Sequence, residues 1–128
     1  MIKWFEKHNR TSWEIFVLIG LFIFYMSSLS FTGVEDSTLG SYSIIYHIIV
    51  FFFFSLFLQI SLHKGKEDWF LLIAGIFISL AYGISDEIHQ LFVAGRQCSL
   101  LDIVWDGVGI VFSAMIYWIS LEFKKQKL

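Results

Sequence analysis

Between Tyr82 and Gly109 the chain reads YGISDEIHQLFVAGRQCSLLDIVWDGVG, a stretch that collects Asp86, Glu87, His89, Gln90, Arg96, Asp102 and Asp106. Carboxylates held close together can divide the work of general acid and general base. Asp, Glu and His can instead hold a divalent cation that activates water or a phosphoryl group. Arginine offers a planar fork of donors to a phosphate or carboxylate. Asp86-Glu87-x-His89 is not the HExxH pattern of zinc hydrolases, so no metal ligands are assigned. The cofactor is left unknown, with a divalent cation at the acidic cluster as one option.

Spacing decides which of these groups can act together. Tyr82, Asp86, His89 and Gln90 are separated by helical steps of three and four, which puts them on one face; Asp102 and Asp106 share another. Gly109 and Ser113 continue the second face as a small-xxx-small pair, the kind that lets membrane helices approach closely. The two polar faces are expected to meet, with Arg96 in the short loop between them. Glu87 falls off the Asp86/His89 face. A purely structural reading competes, in which Asp102 is a capping acid and Asp86 pairs with Arg96.

The elements that must position these residues follow from composition. Of 128 residues, 57% are hydrophobic, 20% are aromatic and none is proline, more apolar surface than a soluble domain of this size can hide. A net charge of −2 carries no nucleic-acid footprint, and one cysteine, Cys98, excludes an internal disulfide. No linker or repeat divides the chain, so residues 1–128 are read as a single all-α domain, a polytopic bundle of four transmembrane helices. The spans are about 12–31, 42–62, 69–89 and 102–121. Crossing a hydrocarbon core takes about 20 residues, so the third and fourth spans must borrow their charged neighbours. Asp86, Glu87, Asp102 and Asp106 therefore belong to helix ends.

Thr11-Ser-Trp-Glu14 and Ser99-Leu-Leu-Asp102 both have capping-box form, and Gly33, Gly40 and Gly95 fall in expected turns. Eight of the nine Lys and Arg residues precede span one, follow span four or lie in the connection between spans two and three; only Arg96 lies on the other side. That bias predicts both termini in the cytoplasm and the connections around residues 33–41 and 92–99 outside. Trp13, Trp69 and Trp118 are expected near the inner boundary and Trp105 near the outer one. The first span lacks an Ala-x-Ala site and is expected to be retained.

Asp106 lies sixteen positions before Glu122, about 24 Å along a helix, and so just inside the outer hydrocarbon boundary. An acid at that depth needs a partner or a cavity. His47 interrupts the most apolar span near the same level; an interhelical hydrogen bond is favoured there over proton handling. Gln59 reads as a packing or cytoplasmic-end polar residue, Phe51 to Phe54 as lipid or core contact, and His8 and His63 as parts of the basic edges. Nothing near Cys98 marks it as a nucleophile.

Ser85-Asp-Glu-Ile-His-Gln-Leu-Phe-Val-Ala-Gly-Arg96, Ser99-Leu-Leu-Asp102 and Asp106-Gly-Val-Gly109 closely resemble the VanZ-like family, small multi-pass membrane proteins named for a member associated with low-level teicoplanin resistance. Ser27-Ser28 after the first span, and His47 followed four residues later by aromatic Phe51, extend the resemblance over nearly the whole chain. The chain departs from the family pattern at Ala94, where proline is usual, at Ile44, where lysine is common, and at Phe51, where tyrosine is frequent. No motif here matches the acyl- or phosphate-transferase labels attached to some members.

The resulting expectation is a cell-membrane protein with an outward-facing polar pocket that takes a lipid head group or a lipid-linked envelope precursor. Asp86, His89 and Asp106 are the candidate catalytic residues for hydrolase or transferase chemistry. Glu87, Gln90, Arg96, Asp102 and His47 are the candidate binding residues. The bilayer is the expected partner, nucleic acid is not, and the oligomeric state is open. The alternative is a non-enzymatic membrane factor whose charged cluster only stabilises helices three and four; ion conduction ranks last, because the ionisable groups do not continue across the bilayer.

Overall fold

The computed structural model describes residues 2–30 and 38–126. Five helices make up its regular structure: α1 (Ile2–Lys7), α2 (Asn9–Ser28), α3 (Thr38–His63), α4 (Trp69–Gln90) and α5 (Leu100–Lys125). Among the described residues, four of these, α2 to α5, are long and apolar enough to cross a membrane. The four-span, all-helical architecture expected from the sequence is present. Asp86, Glu87, Asp102 and Asp106 all lie inside helices, as the borrowing of charged neighbours required.

α3 is the axis of the bundle. It is apolar all round, the pattern of a helix enclosed by others, and it packs against α2, α4 and, most extensively, α5. Phe51, Phe54, Leu58 and Ile60 are fully buried there. The outward faces carry exposed Leu18, Phe77 and Phe112. Such a surface is stable in a bilayer, where apolar side chains meet lipid and all backbone groups are satisfied within helices.

Of the two expected capping boxes one forms, and of the three expected glycine turns one is found among the described residues. Ser99 does cap α5, its hydroxyl accepting from the Asp102 amide at 3.3 Å. The Thr11 to Glu14 box does not form: α2 begins at Asn9, and Glu14 sits inside it, accepting from Arg10 Nε at 3.0 Å. The start of α4 is set instead by Asp68, whose Oδ1 accepts from the Phe70 and Leu71 amides. Gly95 occupies a turn with φ of +79°. Gly40 is helical, within α3, and Gly33 lies outside the described residues.

The short helix α1, which the span pattern does not announce, joins the two chain ends. Glu6 pairs with Lys124 and accepts from the Tyr117 hydroxyl at 3.2 Å. The N-terminal segment and the end of α5 therefore share one end of the bundle. Trp69 and Trp118 meet at that end, their ring centroids 4.0 Å apart. His63 is there too but is buried, not part of a solvated basic edge; it contacts the Gln59 and Asp68 carbonyls and packs beside Tyr117. Gln59 donates to the Leu72 carbonyl at 3.1 Å, tying α3 to α4.

The Asp102, Asp106, Gly109 face of α5 packs chiefly against α3, while its carboxylates also approach α4 at Gly83 and Glu87. At Gly109 a Cβ would stand 2.3 Å from the Ile48 carbonyl oxygen, so only glycine allows the two backbones to pass this closely. Close approach of small residues is how membrane helices gain packing energy, since lipid removes the hydrophobic drive between them.

Candidate functional site

At the end of the bundle opposite the termini, α5 brings Asp106 under His47 of α3. His47 Nδ1 and Asp106 Oδ1 are 2.7 Å apart, a hydrogen bond between two residues that are 5% and 1% exposed. The imidazole lies parallel to the Phe51 ring and edge-on to Tyr46, which fixes its plane. The other Asp106 oxygen, Oδ2, is buried with no hydrogen-bond partner among the described residues and points at α4, 2.9 Å from where a Cβ on Gly83 would stand. On its other side, His47 Nε2 faces Asp102 Oδ2 at 3.8 Å.

α4 supplies a second set of buried polar groups. Gln90 donates its amide to Asp86 Oδ2 at 3.1 Å and to Glu87 Oε1 at 3.2 Å, bridging two carboxylates one turn away. Glu87 is fully buried, and its Oε2 accepts from the Ser99 amide at 2.8 Å. The capping box of α5 is thus completed by an acid from the neighbouring helix. Asp102, expected in that role, turns to His47 instead.

Arg96 closes the cluster from the 91–99 turn. Its Nε donates to the Leu29 carbonyl at 3.0 Å and its Nη2 to the Met26 carbonyl at 2.7 Å. These carbonyls end α2, where unsatisfied acceptors and the helix dipole favour a cation. Asp86 is held by Gln90. His89 also leaves the expected face. It bonds the Ser28 hydroxyl at 3.0 Å and stacks on Phe24, so it serves the α2–α4 contact. Tyr82 does likewise, donating to the Gly20 carbonyl at 2.6 Å.

A cavity of about 420 Å³ opens between α2, α3, α4 and the 91–99 turn, and its polar lining includes Ser27, Tyr46, His47, Asp86, Gln90 and Arg96. Four of the candidate residues, His47, Asp86, Gln90 and Arg96, meet on this wall. Glu87, His89, Asp102 and Asp106 stand behind or beside it. The concavity is therefore built mainly by the first three spans, and the fourth span contributes from behind His47. Ser27 and Tyr46 were not among the candidates. Tyr46 adjoins His47 in sequence and its hydroxyl is buried without a hydrogen-bond partner among the described residues, but neighbours in sequence point to different sides of a helix, so spacing gave no reason to group them.

The groups that could hold a cation are equally specific. Among the described residues, one set of three His, Asp and Glu side chains has ligating atoms within 4.8 Å of one another: His47, Glu87 and Asp102, one from each of α3, α4 and α5.

Four apolar spans around a buried acid–imidazole cluster define a multi-pass helical membrane protein. A family model described as VanZ/LLP1 matches residues 3–121, and the chain belongs to that family. No curated protein matches the chain. No solved structure does either.

Proposed function

We propose that the protein lies in the cell membrane with both termini in the cytoplasm, and that the cavity between α2, α3 and α4 opens outward to bind an anionic envelope component. A lipid head group or a lipid-linked wall precursor has the required chemistry: a phosphate or carboxylate for the Arg96 edge, and hydroxyls or amides for Asp86, Gln90 and Tyr46. The carrying observation is the meeting of Asp86, Gln90, His47 and Arg96 on one concave wall at a helix end. Eight of nine cationic side chains on the other side of the spans support the orientation. Asp86 is the carboxylate at hand for a proton in any hydrolytic or transfer step. The family name ties this reading to teicoplanin susceptibility.

The test is a deletion strain complemented with wild type, Arg96→Gln, Asp86→Asn or Gln90→Leu. Lipid and wall-precursor profiles and teicoplanin susceptibility are compared once membrane insertion of each variant has been verified. One species accumulating in the deletion and in the inserted variants identifies the ligand class. Full complementation by all three variants refutes the binding site.

A second reading has its own support. Glu87 on the Ser99 amide, Arg96 on the end of α2 and His47 on Asp106 all join separate helices, as a scaffold for partner binding would require. Melting in detergent separates the two. Variants whose loss of phenotype tracks their loss of stability favour the scaffold; lost phenotype at unchanged stability favours the binding site.

A further inference from the structure

We infer that His47, Glu87 and Asp102 form a binding site for a first-row divalent transition cation, with Asp106 as the positioning residue behind the histidine. The ligand atoms come from three different helices and converge to within 4.8 Å. One imidazole nitrogen and two carboxylates form a set that suits zinc or manganese.

The arrangement around His47 points to a ligand independently of that convergence. A metal-bound imidazole ordinarily gives its other ring N–H to a carboxylate or carbonyl, which selects the tautomer and aims the free lone pair. Here Nδ1 is engaged by Asp106 Oδ1 at 2.7 Å. Nε2 is left on a side chain 7% exposed, with no hydrogen bond among the described residues and with Asp102 Oδ2 in front of it at 3.8 Å. With Nδ1 donating to Asp106, the Nε2 lone pair of a neutral imidazole repels that carboxylate oxygen, and a cation between them, as a second proton would, converts the repulsion into attraction.

Glu87 has a supporting shell of its own. Glu87 Oε2 accepts from the Ser99 amide and Oε1 from Gln90, so its carboxylate is oriented while each oxygen keeps a further lone pair. Bonds of about 2.0–2.2 Å give a tetrahedral edge of roughly 3.4 Å. The His47–Asp102 edge is within a few tenths of an ångström of that, and Glu87 closes the rest by a side-chain adjustment. Three protein ligands leave one position for water or another small ligand, and the Asp102 side chain, 22% exposed, marks the open side. This inference does not depend on what the neighbouring cavity binds; it stands or fails separately.

The experiment uses the full chain with its purification tag removed, in detergent, stripped with a chelator and titrated with Zn²⁺ or Mn²⁺. Bound metal is measured by mass spectrometry and affinity by calorimetry. Wild type is expected to retain one ion per chain and to melt at a higher temperature with the metal, reversibly on adding chelator. Asp102→Asn and Glu87→Gln each weaken binding at least tenfold. Asp106→Asn, which removes no ligand, weakens it about 10- to 100-fold. With Co²⁺ in place, wild type shows the ligand-field absorption of a four-coordinate nitrogen and oxygen site, which Asp102→Asn loses. Cys98→Ser and His8→Ala leave affinity unchanged. A wild type that retains no ion and gains no thermal stability overturns the proposal, an outcome that needs no variant to fold. Equal affinity in wild type, Asp102→Asn and Glu87→Gln overturns it as well, because the ion then sits elsewhere.

Discussion

His47 and Asp106 are fifty-nine residues apart in sequence and 2.7 Å apart in space, and their hydrogen bond is a buried polar link between the central helix and the last one. Both side chains are buried, so each is satisfied chiefly by the other. Leaving one without its partner exposes the full desolvation penalty of the survivor, whereas removing both replaces a polar pair with packing. His47→Phe alone is therefore expected to lower stability by about 1–3 kcal/mol. The double variant His47→Phe/Asp106→Leu is expected to lose less than the two single changes summed. Unfolding of the four proteins in mixed micelles gives the coupling, and strict additivity would contradict the pairing.

Two glycines of α5, two residues apart, should respond oppositely to alanine. At Gly109 the added methyl meets the Ile48 carbonyl oxygen and the Phe52 amide of α3, backbone atoms that cannot swing aside. At Gly107 the same methyl finds Leu80 Cδ2 at 3.7 Å, an ordinary contact. Gly109→Ala is expected to cost about 1–3 kcal/mol or more, and Gly107→Ala to gain about 0.5–1 kcal/mol from helix propensity. Thermal melts of both proteins in one detergent check the sign of each.

Glu87 anchors the turn that carries Arg96. Its replacement by Gln keeps the shape but turns a charge-assisted acceptor for the Ser99 amide into a neutral one. The expected outcome is a loss of about 1 kcal/mol with faster hydrogen exchange at the Ser99 amide. Ser99→Ala, which removes the hydroxyl cap on Asp102, should cost about 1 kcal/mol as well. Unchanged exchange at residue 99 in Glu87→Gln would contradict the cross-helix cap.

Arg96 holds two carbonyls of α2 with two different nitrogens. A lysine ammonium is a point donor on a flexible stem and cannot reproduce that fork. Arg96→Lys should therefore behave nearly as Arg96→Gln does, both loosening the α2 end, which limited proteolysis at residues 28–30 would report. Wild-type resistance in the lysine variant would show that charge alone suffices.

Sidedness can be read from the single cysteine. Cys98 is exposed in the turn beside Arg96. In intact cells a membrane-impermeant maleimide should label Cys98 and not a Cys98→Ser control, while reporters fused to either terminus are active only in the cytoplasm. Labelling that requires cell lysis would reverse the proposed orientation.

The sequence by itself determined the number of spans, the placement of four acids inside helix ends, the Ser99 cap and the Gly95 turn. Each of these rests on a local quantity: the length of an apolar run, a hydroxyl three residues before an amide, or a backbone angle that glycine tolerates. Periodicity also grouped Asp102 with Asp106 and Gly109 correctly. What it could not specify was the neighbour that face would meet. α3 is apolar around its whole circumference, so no stripe on it names a partner, and the choice fell to backbone complementarity at Gly109 and Ile48. That choice brought His47 to Asp106, freed Asp102 from its capping role and left Glu87 to take it. It likewise sent His89 and Tyr82 toward α2, because two residues on one helical face can still point to different neighbours when three helices surround it. Which residues share a face is a property of the chain; which helix lies opposite is a property of the packed bundle, where close backbone approach and the pairing of buried polar groups select a single arrangement.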